Sequence, residues 1–153
     1  MSRFEVAVSS NVDWAGLSAH CHAALKQAMI EAVEMDIAPT ARELSAWVTG
    51  TNRRSIETDY SETLSSIQVR MFTTSGYGGY IETGTGLAGP YHQRIYPKKG
   101  KFLRWMGKDG HWHFARSTAG MAPRPYMYPA YSQHREAFHK HLREIIARYK
   151  VKP

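Results

Sequence analysis

Ser65-Ser66-Ile67-Gln68-Val69-Arg70-Met71 alternates without a break, placing Ile67, Val69 and Met71 on one face of an extended chain and Gln68 and Arg70 on the other. A period of two with one apolar face marks a half-buried strand of an antiparallel sheet. Residues 4 to 8 repeat the pattern in short form, with Phe4, Val6 and Val8 opposite Glu5 and Ala7. Elsewhere the period changes. Trp14, Leu17, Cys21, Ala24, Leu25, Ala28 and Ala32 recur at spacings of three and four. That spacing predicts a long helix, capped by Asp13 and running to about Met35, with one stripe facing a core. Phe138, Leu142, Ile145, Ile146 and Tyr149 sit at offsets 0, 4, 7, 8 and 11, one face of a second helix from about Pro129 to Tyr149. An antiparallel β-sheet flanked by a long N-terminal helix and a C-terminal helix is an α+β domain.

The remaining segments fill in the plan. Pro39 is expected to end the first helix, and residues 40–49, with Leu44, Trp47 and Val48, suit a second short helix before the breaker Thr49-Gly50-Thr51-Asn52. Tyr80-Ile81-Glu82 reads as a further strand. Phe102-Leu103-Arg104-Trp105-Met106 and His111-Trp112-His113-Phe114-Ala115 flank Gly107-Lys108-Asp109-Gly110, which predicts a β-hairpin around an Asp-Gly turn. Two long loops remain, near 83–100, with a short strand around Arg94-Ile95-Tyr96, and near 117–125. Both are rich in Gly, Pro and cations and poor in apolar anchors, so they are expected to order only against a neighbour. At 153 residues the chain suits a single domain, 1–153, without internal repeats or low-complexity tracts.

Composition excludes several classes. No run approaches the ~18 apolar residues of a membrane span, and the N-terminus lacks a signal-peptide core, so the chain reads as soluble and unexported. One cysteine, Cys21, cannot form an intrachain disulfide. Net charge is +7, unevenly spread: residues 1–90 carry six basic and ten acidic side chains, net −4, whereas residues 91–153 carry fourteen and three, net +11. Such asymmetry points to an acidic partner surface, a nucleic acid, or a neighbouring copy of the same chain.

Catalytic and metal constellations are thin. His111 and His113 would share one side of a strand, but no acidic residue or cysteine is counted as their neighbour, and a His-x-His there is more commonly a polar outer face. His20 and His22 lie about 200° apart on a helix. His134 and His141 are seven residues apart, too far to chelate one ion directly, and His139 lies on another face. Cys21 falls on the apolar stripe, the place of a buried, unreactive thiol. Gly76-Tyr77-Gly78-Gly79 and Gly84-Thr85-Gly86 lack the Gly-Lys-Ser/Thr ending of a P-loop. No enzyme, metal or cofactor is expected. Basic residues beside Tyr91, Tyr96, Phe102, Trp105 and Trp112 would also suit a small basic nucleic-acid-binding module, since cations meet phosphates and rings stack on bases. Against it, Phe102, Trp105, Trp112 and Phe114 fall on hairpin strands, where some of the rings are expected to supply core, so only part of the aromatic count is free.

Three segments, taken in order, resemble the tail-component family (neck, tail-completion or head-tail joining proteins) of tailed double-stranded DNA bacteriophages. Ala38-Pro39, then Thr49-Gly50-Thr51-Asn52-Arg53-Arg54-Ser55-Ile56, is similar to the family's Ala-Pro and Thr-Gly-x-Leu-Arg-x-Ser-Ile. Tyr80-Ile81-Glu82-Thr83-Gly84-Thr85 is similar to Tyr-Val-Glu-x-Gly-Thr. Ala122-Pro123-Arg124-Pro125-Tyr126-Met127-Tyr128-Pro129-Ala130 resembles a Pro-Arg-Pro-Phe-Leu-x-Pro-Ala run that opens the last helix. Thr40 to Val48 reads as an insertion, and Asn52 stands where leucine is usual. The resemblance implies a non-enzymatic virion protein, assembled in the host cytoplasm. It would form a homo-oligomeric ring, hexameric by the symmetry usual in such tails, that completes, terminates or joins the tail. Its neighbours would be neck or connector and tail-tube proteins, with at most weak, sequence-indifferent DNA contact and no membrane. Candidate assembly residues are Tyr80, Glu82, Gly84, Thr85, Lys98, Lys99, Lys101, Arg124, Pro125 and Tyr126. Gly84 allows a positive φ or a close backbone approach. The prolines around Arg124 stiffen an arm that holds it outward, while the alternative for Tyr126 is packing the helix onto its own sheet.

Overall fold

A computed structural model of the chain describes residues 5–9, 19–45, 50–63, 66–107 and 109–149. In order it contains β1 (Glu5–Ser9), α1 (Ala19–Glu31), a π turn (Ala32–Ile37), α2 (Ala38–Leu44), α3 (Thr51–Arg54), β2 (Ile56–Thr63) and β3 (Ser66–Thr73). There follow α4 (Gly78–Thr83), a 3-10 turn (Gly86–Ala88), β4 (Leu103–Met106), β5 (Trp112–Ala115) and α5 (Met127–Tyr149). The fold is α+β with antiparallel sheets, an N-terminal helix and a C-terminal helix. Asp13, Trp14, Leu17, Trp47 and Val48 lie outside the described residues. Two compact units result: the chain up to Gly78 together with the chain from Pro125, and Gly79–Arg124 between them.

In the first unit β3 is the central strand of the order β1-β3-β2, and both pairings are antiparallel. Ile67, Val69 and Met71 are buried, each side chain contributing about 1.5–3 kcal/mol of apolar burial. Helix α1 and the π turn lie against β3, and α5 packs along α1 and α2. The helical core stripe is Cys21, Leu25, Ala28 and Met29, continued by Val33, Ile37, Ala38 and Ala41. Pro39 does not end the helix. The Ala38 N–H donates to the Val33 carbonyl, a step of five residues, so the ladder widens just before the residue that has no N–H to give. Proline then occupies the first turn of α2, where it is tolerated. Helix α5 begins at Met127, two residues before the expected start, and buries Met127, Ala130, Phe138 and Ile145. Arg135, Lys140, Arg143 and Arg148 face solvent.

Strand β2 has no counterpart in the sequence reading, because its inward positions are polar. Thr58, Tyr60 and Glu62 stand opposite Met71, Val69 and Ile67. Helix α1 satisfies them: Lys26 donates to Glu62 at 2.7 Å and lies 5.0 Å from the Tyr60 ring centroid, and His22 Nδ1 is 3.3 Å from Glu62. The hydrogen bond from Lys26 lowers the Glu62 pKa, and the same bond raises that of Lys26.

Tyr80-Ile81-Glu82 is helical, within α4, rather than a strand. Ser75 Oγ accepts the Gly78 N–H at 2.9 Å at its start. Gly84, at φ 76°, follows its last residue in the left-handed conformation that closes helices.

In the second unit β4 and β5 form the expected hairpin, with Arg104 opposite Phe114 and Met106 opposite Trp112. Gly110 donates to the Gly107 carbonyl at 3.1 Å, closing the turn. Ile95 bridges Thr118, the remnant of the short strand expected near 94–96. Among the described residues no helix is long and apolar enough to cross a membrane.

Candidate functional site

Hydrogen bonds join the first of the three family-like segments to the third, and the second to the third. Asn52, buried, donates to Ser45 Oγ at 2.9 Å, and its Oδ1 accepts from Ser75 at 3.0 Å, Thr73 at 3.3 Å and the Tyr126 hydroxyl at 3.4 Å. The polar residue in the place of a leucine therefore joins the first segment to the third. The second and third segments run side by side: Thr85 donates to Met121 at 2.9 Å, Leu87 to Ala119 at 2.7 Å, and Arg124 to the Ile81 carbonyl at 2.7 Å. Met121 N–H returns a bond to Thr85 Oγ1 at 3.0 Å.

Glycine makes this approach sterically open. A Cβ on Gly84 would stand 2.9 Å from the Met121 carbonyl oxygen, and one on Gly86 would stand 2.8 Å from Gly120 Cα. Both expected uses of Gly84, a positive φ and a close backbone neighbour, occur at once. Loops 83–100 and 117–125 thus meet each other at Thr85, Leu87 and Ile95, opposite Met121, Ala119 and Thr118.

Of the ten candidate assembly residues, Tyr80, Lys98, Lys99, Lys101, Arg124 and Pro125 are exposed, and Thr85 is half-buried. Gly84 is closed off by its backbone neighbours. Glu82 and Tyr126 are buried. Neither side chain is on the surface of the chain, and Tyr126 takes the alternative role of packing inside its own unit. Its position at the mouth of α5 places it in the core beside Met127.

The second unit lacks what the first has. Among its described residues no apolar side chain is buried. Its rings are open to solvent, from 43% for Trp105 to 85% for Tyr91. Phe102, Trp105, Trp112 and Phe114 therefore supply no core, contrary to expectation: the two-stranded hairpin has no opposing layer within the unit. Residues 79–124 hold eight basic and two acidic side chains, net +6. Arg104 lies 4.6 Å over the Trp112 ring, and with Met106 and Phe114 these side chains occupy one face of the hairpin. On the other face Trp105 stacks on His113 at 5.6 Å.

Asp109 organises the turn and is the acidic neighbour of His111 and His113 that sequence reading discounted. Its Oδ1 accepts the His111 N–H at 3.1 Å and lies 3.2 Å from His113 Nε2. These bonds, the backbone one foremost, hold its pKa below the usual carboxylate range. A lowered carboxylate contributes stability above its unfolded pKa and loses it as pH falls through the folded one. Amide protection around Gly107–His111 should accordingly fall in acid, below the ordinary aspartate range. Asp109→Asn should remove that acid step in hydrogen exchange followed against pH.

Elsewhere, Cys21 is buried, and burial pushes its thiol pKa up. His134 Nε2 meets Thr40 Oγ1 at 2.9 Å. Among the described residues no group of three or more His, Cys, Asp or Glu is placed to hold a metal ion.

Comparison with protein-family models, with curated proteins and with solved structures returned no match.

Proposed function

We propose that this protein is a non-enzymatic assembly subunit of a tailed phage virion, forming a ring at the head-tail junction or the top of the tail tube. The observation that carries the reading is the second unit: residues 79–124 bury no apolar side chain among those described, yet display ten large apolar ones. A segment of that size gains too little from itself to offset its ordering, and an apolar surface of this kind is characteristic of a protein interface. The order of the three segments, and the hydrogen bonds that join them, support the phage assignment. Tail completion, tail termination and head-tail joining would use the same surface. In purified particles the chain should occur in several symmetry-related copies at the neck. A particle lacking it would sink the proposal.

The basic, ring-bearing hairpin favours one second reading, single-stranded nucleic-acid binding. Under the assembly reading, binding to DNA should be weak, indifferent to sequence and steeply reduced by salt, because released counterions drive it. Titration of labelled oligonucleotides of two unrelated sequences at rising salt checks this. Tight binding to one sequence at physiological salt would favour the second reading.

A further inference from the structure

We propose that β4 of one copy docks on the free edge of β2 of a second copy, extending the sheet from subunit to subunit. This rests on the assembly reading and names the partner of its exposed unit. Among the described residues strand β2 is an edge of the sheet, eight residues long, and beyond Ile56 it is largely exposed. Arg42 covers the Ile56 carbonyl at 3.0 Å, so the open edge begins at Glu57. An edge of that length is a template for another strand unless charge deters it. Its charges are all of one sign: Glu57, Asp59 and Glu62, with Glu34 brought alongside by its 3.4 Å bond from Thr58. Arg70 pairs with Asp59, Lys26 with Glu62, and Arg42 lies at the Ile56 end, so four carboxylates meet three cations and the edge keeps a net charge of −1.

An edge so charged rejects an acidic or neutral strand and accepts a basic one. The chain carries such a strand. Lys101-Phe102-Leu103-Arg104-Trp105-Met106 spans β4, whose only described strand partner is β5, so its other edge is open as well. Pairing would bury Phe102 and Met106, for which the second unit offers no core, and bring Lys101 and Arg104 to the carboxylates. The surfaces that meet differ, so the contact is heterologous, and it closes into a ring or runs on as a filament.

The test uses the full chain. Glu57→Lys and Arg104→Glu should each weaken self-association, read by sedimentation, by about tenfold or more, and an equimolar mixture of the two should recover it. Because Arg104→Glu also removes the Trp112 stack, a second measurement guards against a misfolded hairpin. Copies carrying Ser61→Cys, mixed with copies carrying Met106→Cys, should form disulfide-linked dimers on mild oxidation, with the buried Cys21 as a silent background. Self-association that neither charge reversal alters, without mixed cross-links, overturns this docking and leaves the assembly reading standing. A chain that stays monomeric at every concentration and gives no cross-link also overturns the docking, and the assembly reading then depends on images of the particle. Loss of labelled oligo-dT binding in Arg104→Glu, with self-association unchanged, overturns it in favour of nucleic acid.

Discussion

Alanine at Tyr126 should cost about 3–5 kcal/mol of unfolding free energy, the loss typical of truncating a buried aromatic residue. Among the described residues Tyr126 is the largest of the fully buried side chains, and it immediately precedes α5, next to Met127 and near Ala130, which are also buried. Truncation opens a cavity there and leaves Asn52 Oδ1 with two of its three hydroxyl donors. Against a total stability of about 5–15 kcal/mol, that is a large fraction. Tyr126→Phe removes only the hydroxyl, whose bond is long at 3.4 Å, and should cost about 0.5–1.5 kcal/mol. Urea unfolding of the three proteins, compared at constant slope, gives both values. A midpoint for Tyr126→Ala equal to that of the parent would place this ring outside the core.

Valine at Gly86 should break the pairing of 84–87 with 118–121. The backbone of Gly86 sits at φ 65°, which costs a β-branched residue about 1–2 kcal/mol or more. The added Cβ would also overlap the Ala119 carbonyl, the acceptor of the Leu87 N–H. Relief requires one segment to move off the other. Hydrogen exchange should show the amides of Thr85, Leu87 and Met121 slow in the parent and fast in the variant. Unchanged protection would mean that the pairing tolerates a side chain at Gly86, against the close approach of Gly86 to Ala119 and Gly120.

Much of this architecture is legible in the sequence where one face of an element is apolar. Strand β3 announces itself through Ile67, Val69 and Met71, and α5 through Phe138 and Ile145. The Asp-Gly hairpin is legible from its turn chemistry. Legibility fails where tertiary partners replace local pattern. Strand β2 sets polar Thr58, Tyr60 and Glu62 opposite the apolar residues of β3, where Lys26 and His22 of α1 and Glu34 of the π turn meet them. Tyr80-Ile81-Glu82 has strand-forming side chains, yet the cap at Ser75 and the left-handed Gly84 select a helix; those two residues were the available signal. A π turn lets the chain pass Pro39, and no local residue type marks such a turn. The candidate surface was legible in its cations but not in its ring exposure. A hairpin's rings can be assigned to a core only when the layer that would cover them is known. Tyr126 and Glu82 were misplaced on that surface because burial is a property of the fold, not of the motif.

The central claim is that the exposed second unit exists to be covered in an assembled particle. Symmetry-averaged electron imaging of a tailed particle that contains this chain tests it most directly. A closed ring of identical copies is expected at the neck or the top of the tail tube, with Trp112, Phe114 and Arg104 of each copy buried against the next. Copies that occur singly, lie away from the neck and tail, or leave the hairpin facing solvent would overturn it.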